Sequence, residues 1–258
     1  MIVGSLVMVM AIVNLFCLIE FPSEKGIVIE ENSTILEFKA IKSSSNEAQT
    51  QKSISFVGAL MIPGVLLFSL SFFFIKFSMY GFYYWLPSYL QDCLNYSKDT
   101  SANIFSLFGV GAIFGNVLMG LSTDVLPMRS PVFMFGILMS TLATLTLTLS
   151  ENNSIALISV VMFILGAFLN GSSIIIAAIE CDLGKQEILK SNHKALATVS
   201  GIIDGIAGFG SILGQLLIGV VKAHAGWRPT FLMLTIATAF SGIPATFFAI
   251  REYKQWKL

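Results

Sequence analysis

Two ionisable residues sit where charge is expensive. Lys76 is thirteen residues past Pro63 and eleven before Pro87, in the middle of an apolar stretch, and Asp204 lies about nine residues into another. A charge at the centre of a membrane helix costs ~2.5–3.5 kcal/mol on insertion scales, so each needs a partner or a wet cavity. Helical spacing gives Lys76 the neighbours Tyr80, Tyr83 and Tyr84 at i+4, i+7 and i+8. One ammonium with several phenolic donors suits a phosphate, which takes a positive charge plus neutral hydrogen bonds. The same residues also read as a Lys76–Asp204 pair joining two helices, with the tyrosines as packing. Asp204 belongs to a polar stripe of Ser200, Asp204, Ser211 and Gln215, at steps of four, seven and four along one helix face. It can line a cavity, pair with a base or carry a coupling proton. Asn116 and Asn170, each in a further apolar stretch, either face a substrate or bond to a neighbouring helix.

These residues need long apolar helices to hold them. Hydrophobic residues make up 55% of the 258-residue chain and charged ones 12%, with mean hydropathy +0.81. That charge content is about half the usual share of a soluble domain. With 15 basic and 15 acidic residues the net charge is zero, so there is no basic footprint for nucleic acid. The three cysteines, Cys17, Cys93 and Cys181, have no metal or redox spacing, and no cofactor is expected. A spanning helix needs about 20 apolar residues. Seven stretches qualify: 1–19, 63–86, 104–122, 131–149, 155–179, 195–221 and 229–250, with 54–62 as an interfacial lead-in. The chain therefore reads as an all-α polytopic membrane bundle. Glycines 201, 205, 208, 210 and 214 of the sixth stretch, and 111 and 115 of the third, read as close-packing devices with small-xxx-small spacing.

The connections set the orientation. Residues 20–53 form a 34-residue polar linker with six Glu and four Lys, and the other links are short. With that linker cytoplasmic, eleven basic residues fall inside and three outside, as the positive-inside rule favours, and the tail 251–258 is cytoplasmic. A seven-helix receptor shares this layout. However, the third stretch ends Gly120-Leu-Ser-Thr-Asp124 without an acidic-Arg-aromatic triplet, and the seventh lacks Asn-Pro-x-x-Tyr.

The segment Gly120-Leu-Ser-Thr-Asp124-Val-Leu-Pro-Met-Arg129 opens a short loop after a span. It resembles the loop motif G-x-L-A-D-R-x-G-R-K/R of the major facilitator superfamily. Gly120, Asp124 and Arg129 match, while Pro127 stands in place of the glycine and Val125 in place of the inner arginine. Its physical sense is a charged clamp at a helix end. Two longer strings narrow the resemblance. Phe73-Phe74-Ile75-Lys76 with Tyr80-Gly-Phe-Tyr-Tyr-Trp85-Leu86-Pro87-Ser-Tyr89-Leu90 is similar to the seventh helix of the eukaryotic sugar-phosphate exchangers. Asp182-Leu183-Gly184, Asn192-His193-Lys194-Ala195-Leu196-Ala197-Thr198-Val199, Gly201-Ile-Ile-Asp204-Gly205 and Gly214-Gln215 resemble their eleventh helix and the loop before it.

The resemblance implies an organophosphate:phosphate antiporter working by alternating access, with no covalent step and so no enzyme. It implies a C-terminal six-helix half (54–250) preceded by one helix of the first half (1–19). It places Lys76 at the basic position of the seventh helix; the candidate substrate residues around it, from spacing and polarity, are Tyr80, Tyr83, Tyr84, Asp204 and Asn170. A second basic residue, on the family's first helix, has no counterpart in this sequence. The chain alone is therefore expected not to transport. It is expected to be part of a longer transporter, or a half-transporter that needs a partner half. The expected partners are an organophosphate, inorganic phosphate and the bilayer of the endoplasmic reticulum or another cellular membrane. A carrier for another solute, proton-coupled through Asp204, and a non-transporting membrane sensor are the alternatives.

Overall fold

The computed structural model describes residues 55–126, 129–149, 154–183 and 193–256, all within one unit, Ser53–Leu258. The expected first span (1–19), the linker (20–53) and the last two tail residues lie outside the described residues. A short helix, α1 (Phe56–Leu60), leads in. Six long helices follow: α2 (Val65–Asp92), α3 (Lys98–Val125), α4 (Ser130–Leu149), α5 (Ile155–Leu183), α6 (His193–Ala225) and α7 (Trp227–Trp256). There is no strand among the described residues. Among those same residues, α2, α3, α4, and the stretches Ile155–Ile179 and Ala197–Ala225 are long and apolar enough to cross a membrane.

α3 begins six residues ahead of its apolar stretch because a capping residue, not hydropathy, sets its start. Ser97 caps α3 by accepting the Thr100 N–H (3.2 Å), and Asn95, left-handed at φ 55°, turns the chain just before it. The sequence reading ends the second stretch ahead of Pro87, but α2 runs through it to Asp92. A proline inside a helix removes one ladder hydrogen bond. Here the turn beyond it is held by packing: Tyr89 and Leu90 are buried, and Tyr89 meets Phe231 edge-on at 4.5 Å and Trp227 at 5.4 Å.

Helix pairing follows the small residues. In the bundle α3 lies on α5, α2 on α6 and α4 on α7. A side chain at Gly111 or Gly115 would land on the carbonyls of Phe163 or Ala167, and one at Gly166 on that of Phe108, so α3 and α5 touch backbone to backbone. Gly210 and Gly214 likewise admit Phe73 and Phe77 of α2. The remaining three of the five glycines correct the packing expectation. A Cβ at Gly201, Gly205 or Gly208 would meet nothing within 4 Å among the described residues. They sit on an open face, and only 22% of the apolar stretch of α6 is buried, against 61% for α2 and for α5.

Candidate functional site

The seam between α2 and α6 carries the charged groups. The Lys76 ammonium donates to Oδ1 of Asp204 at 3.0 Å and lies 4.4 Å above the Phe72 ring. An ammonium has three donors, and this carboxylate is the one hydrogen-bond acceptor it finds among the described residues. The Lys76 side chain is 19% exposed and Asp204 60%, so the pair is half-covered on the Lys side and open on the Asp side. Gly201, about one turn before Asp204, and Gly205, the next residue, add no side chain on that side.

The tyrosines divide. Tyr80 and Tyr84 stack on each other (6.2 Å, 21°), and Tyr84 is 65% exposed. Tyr83 instead donates to Oδ1 of Asn170 (3.2 Å) and meets Phe108 edge-on at 5.1 Å, tying α2 to α5. Asn170 is buried, and its Nδ2 donates to the Gly166 carbonyl at 2.9 Å. Both of its polar ends thus bond to protein. In the stripe, Ser211 donates to the Gly208 carbonyl (2.7 Å), whereas Nε2 of Gln215, like Oδ1 of Asn116 on α3, is buried with no partner among the described residues. Gly120 and Asp124 lie near the end of α3, where Asp124 is exposed, and Arg129 is half-buried just ahead of α4.

Sequence reasoning missed a second pair. Lys222, read as an outer residue, belongs to the last turn of α6. Its ammonium is 3.0 Å from Oδ2 of Asp92 at the end of α2, and 4.5 Å and 5.2 Å from the rings of Trp227 and Trp85. Asp92 is 16 residues past Lys76, and Lys222 is 18 past Asp204. Two parallel helices in register give this spacing, and that signal was present in the sequence.

The Lys76–Asp204 pair makes a prediction. Removing one partner strands the other charge inside the membrane, where an unpaired ion is disfavoured. Lys76→Ala/Asp204→Asn is therefore expected to resist thermal unfolding better than either single variant. A double variant no better than the worse single one, in detergent melting curves, would show that the two side chains do not stabilise each other.

The Major Facilitator Superfamily model matches residues 1–187 and 68–257. Among curated proteins the chain is similar to Glucose-6-phosphate exchanger SLC37A2 of Mus musculus, at 35% identity over 219 residues, 84% of this chain and 44% of that protein. It is 36% identical over 215 residues to SLC37A2 of Bos taurus, covering 83% and 44%. It is 32% identical over 208 residues to Sugar phosphate exchanger 3 of Xenopus laevis, covering 80% and 41%. The chain thus spans less than half the length of these three relatives.

Proposed function

The chain belongs to the Major Facilitator Superfamily, and on that premise we propose that it forms the C-terminal six-helix half of an exchanger. The exchanger swaps a sugar phosphate, or another organophosphate, for inorganic phosphate. The observation that carries this reading is Lys76, an intramembrane ammonium with spare donors on the open α2–α6 seam, held by Asp204 at 3.0 Å. The names of the similar exchangers support the substrate class.

In the empty carrier Asp204 is the counter-ion of Lys76. An incoming phosphate competes for that ammonium, and the Tyr80 and Tyr84 hydroxyls add neutral donors beside it. A phosphate dianion needs more than one cation in a site of low dielectric. The second comes from an opposing six-helix half, in a longer form of this polypeptide or in a partner chain. That half covers the open face of α6 and completes the cavity. The two halves rock about the central site so that it opens to each side in turn. Phosphate leaving through the same site makes the cycle an exchange, and no bond is made or broken. The membrane is that of the endoplasmic reticulum or another cellular compartment, with the tail 251–258 in the cytoplasm.

Trans-acceleration tests the exchange. Vesicles from cells that make the protein are loaded with labelled glucose 6-phosphate, and inorganic phosphate is added outside. Efflux is expected to rise several-fold over phosphate-free buffer. Efflux that ignores phosphate but follows an imposed pH gradient would favour the second reading, a proton-coupled carrier, which rests on the exposure of Asp204.

A further inference from the structure

The polar stripe of α6 does not stop at Gln215. Seven residues on comes Lys222, which stands 18 residues past Asp204. At 3.6 residues per turn that is five whole turns, so Lys222 and Asp204 share one face of α6, ~27 Å apart along it. A hexose phosphate held at Lys76 does not span that distance. α7 starts beside Lys222, at Trp227, and its far end carries the tail, so Lys222 marks the end of the seam away from residues 251–256.

The seam repeats at this end the arrangement of its midpoint. The Lys222 ammonium meets Asp92 of α2 at 3.0 Å, as Lys76 meets Asp204, and lies over aromatic rings, as Lys76 lies over Phe72. It too has three donors and finds one hydrogen-bond acceptor among the described residues. Its side chain is 26% exposed and that of Asp92 55%, close to the 19% and 60% of the inner pair. The feature that makes Lys76 an anion site, an ammonium with spare donors beside a displaceable carboxylate, is therefore present twice on one route.

We propose that Lys222 is a second anion site, at the mouth of the seam, which takes the phosphate group of the exchanged substrate on its way to or from Lys76. The proposal rests on the exchanger reading above and adds to it a docking step on one side of the membrane. The ligand is a phosphate monoester or inorganic phosphate, because a compact ammonium binds the shared phosphate group as a point charge and does not read the organic part. Asp92 is the resident anion that the phosphate displaces, and the faces of Trp85 and Trp227 keep the ammonium in place during the exchange of partners. A contact this close to water is weak and screened, which lets the substrate move on.

Lys222→Gln and, separately, Asp92→Asn are made in the native gene, so that the protein is assayed as its cell produces it. Sealed membrane vesicles are assayed for phosphate/phosphate exchange, and KM is measured on each side by varying the internal load and the external concentration in turn. Lys222→Gln is expected to raise KM about fivefold on the side away from the tail, the upper range for a partly exposed ion contact, and to leave it within about twofold on the tail side. Asp92→Asn is expected to lower KM on that same far side, because it removes the anion that competes for Lys222. Both variants break the same ion pair, so a pair that only joins helices would move KM the same way in both. That outcome overturns the proposal. An unchanged far-side KM in both variants also overturns it, and leaves Lys222 to packing or to a lipid headgroup. Asp92→Asn changes one atom of an exposed side chain, so it keeps the test decisive if Lys222→Gln does not reach the membrane. Lys76→Ala, run alongside, separates the two readings. If it leaves phosphate/phosphate exchange intact the exchanger site is wrong, whatever the Lys222 and Asp92 variants do.

Discussion

Lys76→Ala is expected to cut organophosphate exchange by roughly 30- to several-thousand-fold while membrane insertion stays normal. Losing one partner of a desolvated charged contact costs about 2–5 kcal/mol, and each ~1.4 kcal/mol is a factor of ten. Lys76 is the group for which this range applies, because it sits mid-span and its ammonium has donors left over after Asp204. Insertion should survive because the variant removes a charge from the bilayer, which favours the helix. Lys76→Arg is the control for charge against geometry. It keeps the cation but replaces a compact ammonium with a planar fork, so a measurable share of activity should return. Uptake of labelled glucose 6-phosphate into vesicles, normalised to protein inserted, checks all three. Wild-type uptake by Lys76→Ala would remove Lys76 from the site. Equal inactivity of the alanine and arginine variants would mean that shape, not charge, is what the position supplies.

The second large effect concerns the fold. Gly115→Leu is expected to abolish most of the folded protein, because a Cβ at this position meets the backbone of Ala167 and no flexible side chain can move aside. Overpacking a core costs typically 1–3 kcal/mol and more when backbone must shift. That is a large part of the 5–15 kcal/mol that stabilises an ordinary domain. Gly109→Ala is the matched control, since it lies on the same helix with nothing within 4 Å. Size-exclusion profiles in mild detergent should show a monodisperse peak for Gly109→Ala and aggregate for Gly115→Leu. A Gly115→Leu protein that elutes and melts like wild type would mean that α3 and α5 do not meet at this glycine.

Part of this protein follows from its sequence alone. Apolar stretches of 20 residues can hide their backbone polar groups in lipid only as helices, so composition forces an all-α membrane bundle before any packing is known. The rarity of charge in those stretches singles out Lys76 and Asp204 for the same reason: each is costly enough to need a purpose. These are local properties, set by transfer of a segment from water to hydrocarbon, and a linear reading captures them.

Pairings between distant segments are not local, and only the tertiary structure decided them. Spacing leaves open whether Lys76 meets Asp204, 128 residues away, and the packing of α2 on α6 brings them to 3.0 Å. Spacing groups Tyr83 with Tyr80 and Tyr84, yet Tyr83 bonds to Asn170 because α5 lies against that side of α2. Glycines 201, 205, 208, 210 and 214 of α6 look alike in sequence, but a Cβ at Gly210 or Gly214 would meet an α2 phenylalanine and one at the other three would meet open space. Asp92 and Lys222 read as residues near span ends, until two parallel helices in register bring them together between two tryptophans. Hydropathy fixes which segments leave water. The shapes of the helix surfaces fix which of them touch, and the candidate site lies along one of those contacts.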